Sequence, residues 1–240
     1  MILDRKRHYL VSQDFNRNPS DYEILNDADI YPANVHHADG TRHPVTAGAR
    51  SFSLQGMVPT SYGLPKLRAK PKVFVALRNK PLDIYGFGTR RVVSDRAKSL
   101  LVEIDPTAFD FVKCDTITRK DFVVAPYWMV DIARAVDGID EERSVFELAE
   151  GVDGITGQPY YGPHFHQLHD LHLSSDTPPE FHAMLLKQFR SHMIFDEVIV
   201  DAWRALRFSG AAFLPLQPPT QSEITRLPVR SYWRPSPTHP

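Results

Sequence analysis

The sequence predicts an α+β (mixed α/β) fold: two related strand–helix–strand halves around a mostly antiparallel sheet, joined by long loops. Three observations carry this expectation. One helix shows both a cap signal and an apolar period of 3.6 residues. The unit that contains it recurs about 102 positions downstream. Around both units, short runs of β-branched and aromatic residues alternate with proline-rich stretches, the chain having 20 prolines against 12 glycines.

Taken in order, "RHYLVSQDF" reads as an opening strand, followed by a polar, turn-rich region from Asn16 to Arg50. "KVFVALR" (Lys72 to Arg78) and "LDIYGFG" (Leu82 to Gly88) are extended segments. Ser94 then stands as an N-cap before "DRAKSLLVEI", with Asp95 in the first turn. Ala97, Leu100, Leu101 and Ile104 fall at i, i+3, i+4 and i+7, one face of a helix that Asp105-Pro106 ends. "FDFVKCDTI" alternates as a strand. "FVVAPYWMVDI" is apolar on both faces, as a buried central strand is, with Pro126 the one objection.

The repeat needs no insertion. Val92-Val93-Ser94-Asp95 lies over Ile194-Phe195-Asp196-Glu197, so one N-cap falls on the other. Ala97, Leu100, Leu101 and Ile104 lie over Ile199, Ala202, Trp203 and Leu206, while Phe111 and Val112 lie over Phe213 and Leu214. Upstream, Phe87 lies over Phe189. Helical and extended readings of Glu180 to Arg190 both remain open. One domain is expected over residues 1–216, its halves at about 1–120 and 121–216, followed by a Pro-rich tail at 217–240.

Composition narrows the function. Lys and Arg total 28 against 29 Asp and Glu, so net charge predicts no general attraction to nucleic acid or membrane. The first residues carry no apolar core of a signal peptide, and no run long enough to span a bilayer occurs. The single cysteine, Cys114, excludes an internal disulfide and fits a reducing, cytoplasmic setting. Charge is nevertheless blocked. Leu64 to Arg91 holds eight basic residues against Asp83 alone, and Asp137 to Asp153 holds seven acids against Arg143 alone. Such blocks are solvated faces or meet partners of opposite sign.

The search for catalysis returns little. His164, His166, His169 and His172 crowd one segment, and an H-x-H pair can place two imidazoles on one metal. No H-E-x-x-H, no cysteine pair and no anchored two-histidine, one-carboxylate spacing accompanies them. No G-x-S-x-G nucleophile and no phosphate loop is present. Cys114 lies in an expected strand with no histidine to activate it.

"VDGIDEERS" supplies a different lead. Asp137, Asp140, Glu142 and Ser144 form a D-x-x-D-x-E-x-S element that resembles the one in immunity family eleven, bacterial immunity proteins found beside polymorphic toxins. "RRVVSDRAKSLLVEI" and "YWMVDIARAVDGID" are similar to the family's preceding segments. Ser174 to Leu216 is similar to its C-terminal pattern, through Pro178-Pro179, Phe189-Arg190, Ile194-Phe195-Asp196-Glu197, Gly210 and Phe213. The second helix departs in having Phe195-Asp196 where the family has Val-Ser. The histidine-rich run and the tail lie outside the pattern.

The resemblance implies a non-enzymatic protein with no cofactor and no metal, which binds a cognate toxin and blocks its active site. The expected toxin contacts are Asp137, Asp140, Glu141, Glu142 and Glu147 of the acidic run, together with His164, His166 and His169. Against a basic nuclease the acids would stand in for phosphate. Histidine contacts would make affinity vary with pH near the free imidazole value of about 6.5. Asp140 and Ser144 are equally read as capping groups at a helix start. Two other readings stay open: an adaptor or scaffold for another protein, and a metal-dependent enzyme built on His164, His166 and a remote carboxylate. Oligomeric state has no signature in the sequence.

Overall fold

The computed structural model describes residues 6–14, 22–26, 34–36, 42–44, 64, 67–75, 81–86, 91–118, 126–145, 148–152, 159–163, 170–186 and 189–217. Within them the chain runs β1 (His8–Gln13), β2 (Tyr22–Ile24), β3 (Asn34–His36), β4 (Arg42–Pro44), β5 (Lys72–Val75), β6 (Ile84–Tyr85) and β7 (Arg91–Ser94). Then come α1 (Asp95–Ile104), β8 (Phe109–Lys113), β9 (Asp115–Thr118), β10 (Tyr127–Ile132), β11 (Ala135–Val136), β12 (Leu148–Val152) and β13 (Pro159–Pro163). β14 (Ala183–Leu186), β15 (Phe189–Asp196), α2 (Glu197–Ala205) and β16 (Ala211–Pro215) complete it. The architecture is α+β, with mostly antiparallel sheets.

Two sheets of the same plan form the centre. One has strand order β6-β7-β10-β8, the other β11-β14-β15-β1-β16. In each, a strand–helix–strand unit has its two strands held apart by an intervening antiparallel strand, the split form of that unit. The correspondence extends to the register. Trp128 of β10 pairs with Val93 and Lys113, and Tyr9 of β1 pairs with Phe195 and Pro215, the positions that the repeat aligns. The central strand follows its unit in the first sheet, whereas in the second it comes from the N-terminal end of the chain. The halves therefore interleave along the sequence.

Both helices start at the aligned caps. Ser94 Oγ accepts from Ala97 N at 3.3 Å, and Asp196 Oδ1 accepts from Val198 N at 3.0 Å and Ile199 N at 3.3 Å, satisfying amides that have no intrahelical partner. α1 ends where the Asp105 amide donates to Leu101 O at 3.0 Å and Pro106 follows. α2 closes with a Schellman turn: Phe208 N donates to Trp203 O and Arg207 N to Arg204 O, both at 3.0 Å. Arg207 takes the left-handed position, φ 54°, where glycine is usual. The turn sets Phe208 edge-on to Trp203, ring centroids 5.2 Å apart.

Strand alternation divides the apolar residues into three cores. Tyr9, Val11, Val93, Val130, Met193 and Phe195 face the helices and pack with Ala97, Leu101, Ile199 and Trp203 in one shared interior. Phe109 and Phe195 join the two halves across it, centroids 5.9 Å apart. The opposite face of the first sheet, with Val92 and Met129, is covered by the small sheet β2-β5-β9 through Val73 and Val75. The opposite face of the second sheet, with Leu10, Met184 and Ile194, is covered by Val136, Ile139, Leu171 and Leu173. Several expectations are refined here. Of the segment from Glu180 to Arg190, Ala183–Leu186 and the start of β15 are strands, and Glu180 lies in the turn before them. The alternation of "FDFVKCDTI" continues across Cys114, but β8 and β9 on either side of it belong to different sheets. Pro126 lies just before β10 and so removes no hydrogen bond from the sheet. Short strands occupy parts of the expected turn-rich region. Phe87 and the tail from residue 218 lie outside the described residues.

Three buried carboxylates tie the frame together. Asp83 accepts from Arg96 Nε at 2.5 Å and Nη2 at 2.6 Å, from Ser94 Oγ at 2.9 Å and from Ser209 N at 2.8 Å. Asp105 accepts from Arg134 Nη2 at 2.5 Å and from the His182 amide at 3.0 Å. Asp196, besides capping α2, meets Lys6 Nζ at 2.5 Å and His182 Nδ1 at 2.8 Å. His182 Nδ1 lies 3.2 Å from Lys6 Nζ and 2.8 Å from Asp196 Oδ2. Each carboxylate bonds to segments far apart in sequence, as a charge with no access to water requires.

One buried titration has a measurable consequence. Burial, with a smaller push from the Arg91 cation, lowers His192 to about 4, and burial also lowers His8. As pH falls below about 6.5 the unfolded chain takes up the proton first, so stability present above that value is lost towards pH 4. The expected loss between about pH 7.5 and pH 4.5 is about 2–3 kcal/mol from His192. Urea midpoints across this range check it, and His192→Gln is expected to flatten the profile by that amount.

Candidate interaction surface

The acidic element forms a turn on the cover of the second sheet. β11 pairs in parallel with β14, and the chain then leaves through Asp137 and Gly138. A Cβ at Gly138 would come within 3.0 Å of Val136 Cγ2 and 3.1 Å of Thr177 Oγ1, so the backbone passes close to the cover. Bridges from Ile139 to Leu173 and from Val145 to Asp170 bound the turn on either side. Between them, Asp140 O accepts from Arg143 N at 3.3 Å and Ser144 N at 3.0 Å. This is a single turn, with no helix following it.

Ser144 anchors the turn from beneath. Its hydroxyl accepts from His172 N at 2.9 Å and donates to His172 O at 3.2 Å, while Asp140 N donates to the same carbonyl at 2.9 Å. The imidazole of His172 sets Nε2 2.9 Å from Asp170 Oδ1 and Nδ1 3.1 Å from the Gln217 amide nitrogen. The Gln217 amide nitrogen only donates, so Nδ1 of His172 accepts from it, while the Nε2 contact with Asp170 is one of proximity and not a hydrogen bond. Leu171, 1% exposed, fixes this strip to the end of β16 through its amide bond to Leu216 O at 2.8 Å.

Above this base the side chains point to solvent. Asp137, Glu141 and Glu142 are exposed, Asp140 is half-buried, and Arg143 is the cation of the turn, 3.8 Å from Asp140 Oδ2. Val145, 60% exposed, adds an apolar contact beside them. Four carboxylates against one guanidinium on a pinned backbone give a rigid anionic surface.

The D-x-x-D-x-E-x-S element thus separates into structural and exposed parts. Ser144 and the Asp140 carbonyl build the turn, and Glu142 and Asp137 are displayed by it. The strip from Asp170 to Ser174 that holds it was not legible in the sequence, because Ser144 and His172 lie 28 residues apart. Glu147, His164, His166 and His169 lie outside the described residues. Among the described residues, no group of three or more His, Cys, Asp or Glu side chains is arranged to hold a metal ion. Cys114 is buried and its thiol is pushed up to about 11 by that burial, which leaves it protonated at neutral pH. No helix among the described residues is long and apolar enough to cross a membrane.

A family model described as an immunity protein family, Imm11, matches residues 13–217. The matched span takes in both helices, the acidic turn and the strip that anchors it. No curated protein matches the chain.

Proposed function

The chain belongs to the Imm11 immunity protein family, and we propose that it binds a cognate bacterial toxin in the cytoplasm and blocks the toxin's active site. Family membership is the observation that carries this reading, and it supports an activity of binding rather than catalysis. The acidic turn is the surface proposed to meet the toxin, through Asp137, Asp140, Glu141 and Glu142; Glu147, His164, His166 and His169 are proposed as further contacts.

Physical chemistry supports that choice of surface. Exposed carboxylates on a backbone held by Ser144 and the Asp170–Ser174 strip lose little entropy on binding. Their shared sign attracts a basic partner and raises the association rate, an effect that salt screens over about 8 Å at physiological ionic strength. Val145 beside them offers apolar area that water leaves on contact. Against a toxin that cleaves nucleic acid, the carboxylates would occupy the positions of phosphates.

Charge reversal tests the surface. The double variant E141K/E142K is expected to weaken toxin binding about tenfold or more and to flatten its salt dependence. Both side chains are exposed, so the thermal midpoint should stay within about 2 °C of the parent. Calorimetric titration with the cognate toxin domain at two salt concentrations measures the affinity, and thermal unfolding measures the midpoint. An unchanged affinity would remove the acidic turn from the interface.

A further inference from the structure

A concave surface lies where α1 meets the turn that ends α2. Arg96, Ser99 and Glu103, exposed at i, i+3 and i+7 of α1, face outward along a groove of about 690 Å³, which buried Leu100 also lines. Leu206 and Phe208 form the opposite wall, and Leu82 and Tyr127 contribute to its lining. The Schellman turn creates that wall: with Arg207 left-handed, Phe208 folds back onto Trp203 while Leu206 stays 50% exposed at the rim.

The charges around the groove are unequal. Asp83, Asp95 and Glu103 line it against Arg96 alone, three acids less one base, a net of −2. Arg96 is already committed: it is bidentate to Asp83 and lies 4.4 Å above the Phe208 ring. The uncompensated pair is Asp95, one oxygen of which accepts from Trp128 Nε1 at 2.8 Å, and exposed Glu103. Eight residues along a helix separate them by about 12 Å. An extended chain covers that distance in about four residues, with side chains i, i+2 and i+4 on one side.

We propose that this groove is a second toxin contact, and that it receives an extended toxin segment carrying a Lys or Arg at each end and an aliphatic side chain between them. The cations meet Asp95 and Glu103, and the aliphatic group enters between Leu100, Leu206 and Phe208. The inference rests on the toxin-binding reading above, deepens it by naming partner chemistry, and is independent of the acidic turn.

Two variants test it, using the full chain and the proposed cognate toxin domain as the probe. Ser99→Trp fills the groove from an exposed position, and Glu103→Lys reverses one rim charge. Each is expected to weaken binding about tenfold or more while leaving the thermal midpoint in place. If Ser99→Trp disturbs folding, the exposed Glu103→Lys carries the test alone. Should the parent bind and both folded variants bind within about twofold of it, the groove is not a contact and the toxin reading stands. If the parent chain does not bind the toxin at all, the reading of function fails and the groove assignment fails with it.

Discussion

Asp196→Ala is expected to cost about 3 kcal/mol of folding stability, lowering the thermal midpoint by about 6–10 °C in a chain of this size. One side chain does three things at this position. Its Oδ1 caps α2 through Val198 N and Ile199 N. Its Oδ2 meets Lys6 Nζ, which precedes β1, and His182 Nδ1, which precedes β14. The carboxylate is 0% exposed, so the alanine variant leaves two orphan amides and the Lys6 ammonium without their shared acceptor, and removes the partner 2.8 Å from His182 Nδ1. Loss of the cap alone accounts for about 1 kcal/mol. The rest comes from the ion pair, and stays at the low end for a buried pair because Lys6 is 24% exposed and recovers water. Asp196→Asn separates the two contributions, since its side-chain oxygen still caps while its charge is gone. It is expected to cost about half as much, measured by urea unfolding of both variants.

Gly210→Ala is expected to be at least as damaging. Gly210 has φ +97°, and a Cβ there would lie 2.1 Å from the backbone oxygen of Ile84 and 3.1 Å from Leu82 Cβ. The left-handed conformation costs alanine about 1–2 kcal/mol, and overpacking against backbone adds about 1–3 kcal/mol. The neighbouring contacts make relaxation costly. Asp83 N and Ile84 N donate to Ser209 O at 3.0 and 3.2 Å, Asp83 takes the Ser209 amide, and Gly210 O receives Asp14 N at 3.0 Å. Moving the turn away from β6 breaks the seam between the two strand–helix–strand units. A loss of about 3–5 kcal/mol is the expected result, read from the shift in urea midpoint at constant slope.

The parts of this fold that were legible in the sequence are those set by local period and capping. Ala97, Leu100 and Leu101 repeat because one face of α1 must be buried, and Ser94 and Asp196 announce helix starts with their own oxygens. The repeat was legible for the same reason, since both units bury the same face against one interior. What escaped was non-local. The partners that bury Asp83, Asp105 and Asp196 could not be read from local sequence, because they sit elsewhere in the chain, Ser209 as far as 126 residues from Asp83. Strand membership escaped likewise: alternation across Cys114 is continuous, yet β8 and β9 pair with β10 and β5. Nothing in "HYLVSQ" announces that it will sit between β15 and β16. In the acidic element, composition marked the exposed carboxylates, but the hydroxyl–backbone bond that fixes them required the structure.

The measurement that bears most directly on the central claim is growth of bacteria in which the proposed cognate toxin is induced, with and without the chain itself. Rescue of growth by the parent chain, and weaker rescue by a folded E141K/E142K variant, is the expected outcome. Growth arrest that persists while the folded parent chain is present at levels matching the toxin contradicts the assignment as a toxin-neutralising immunity protein.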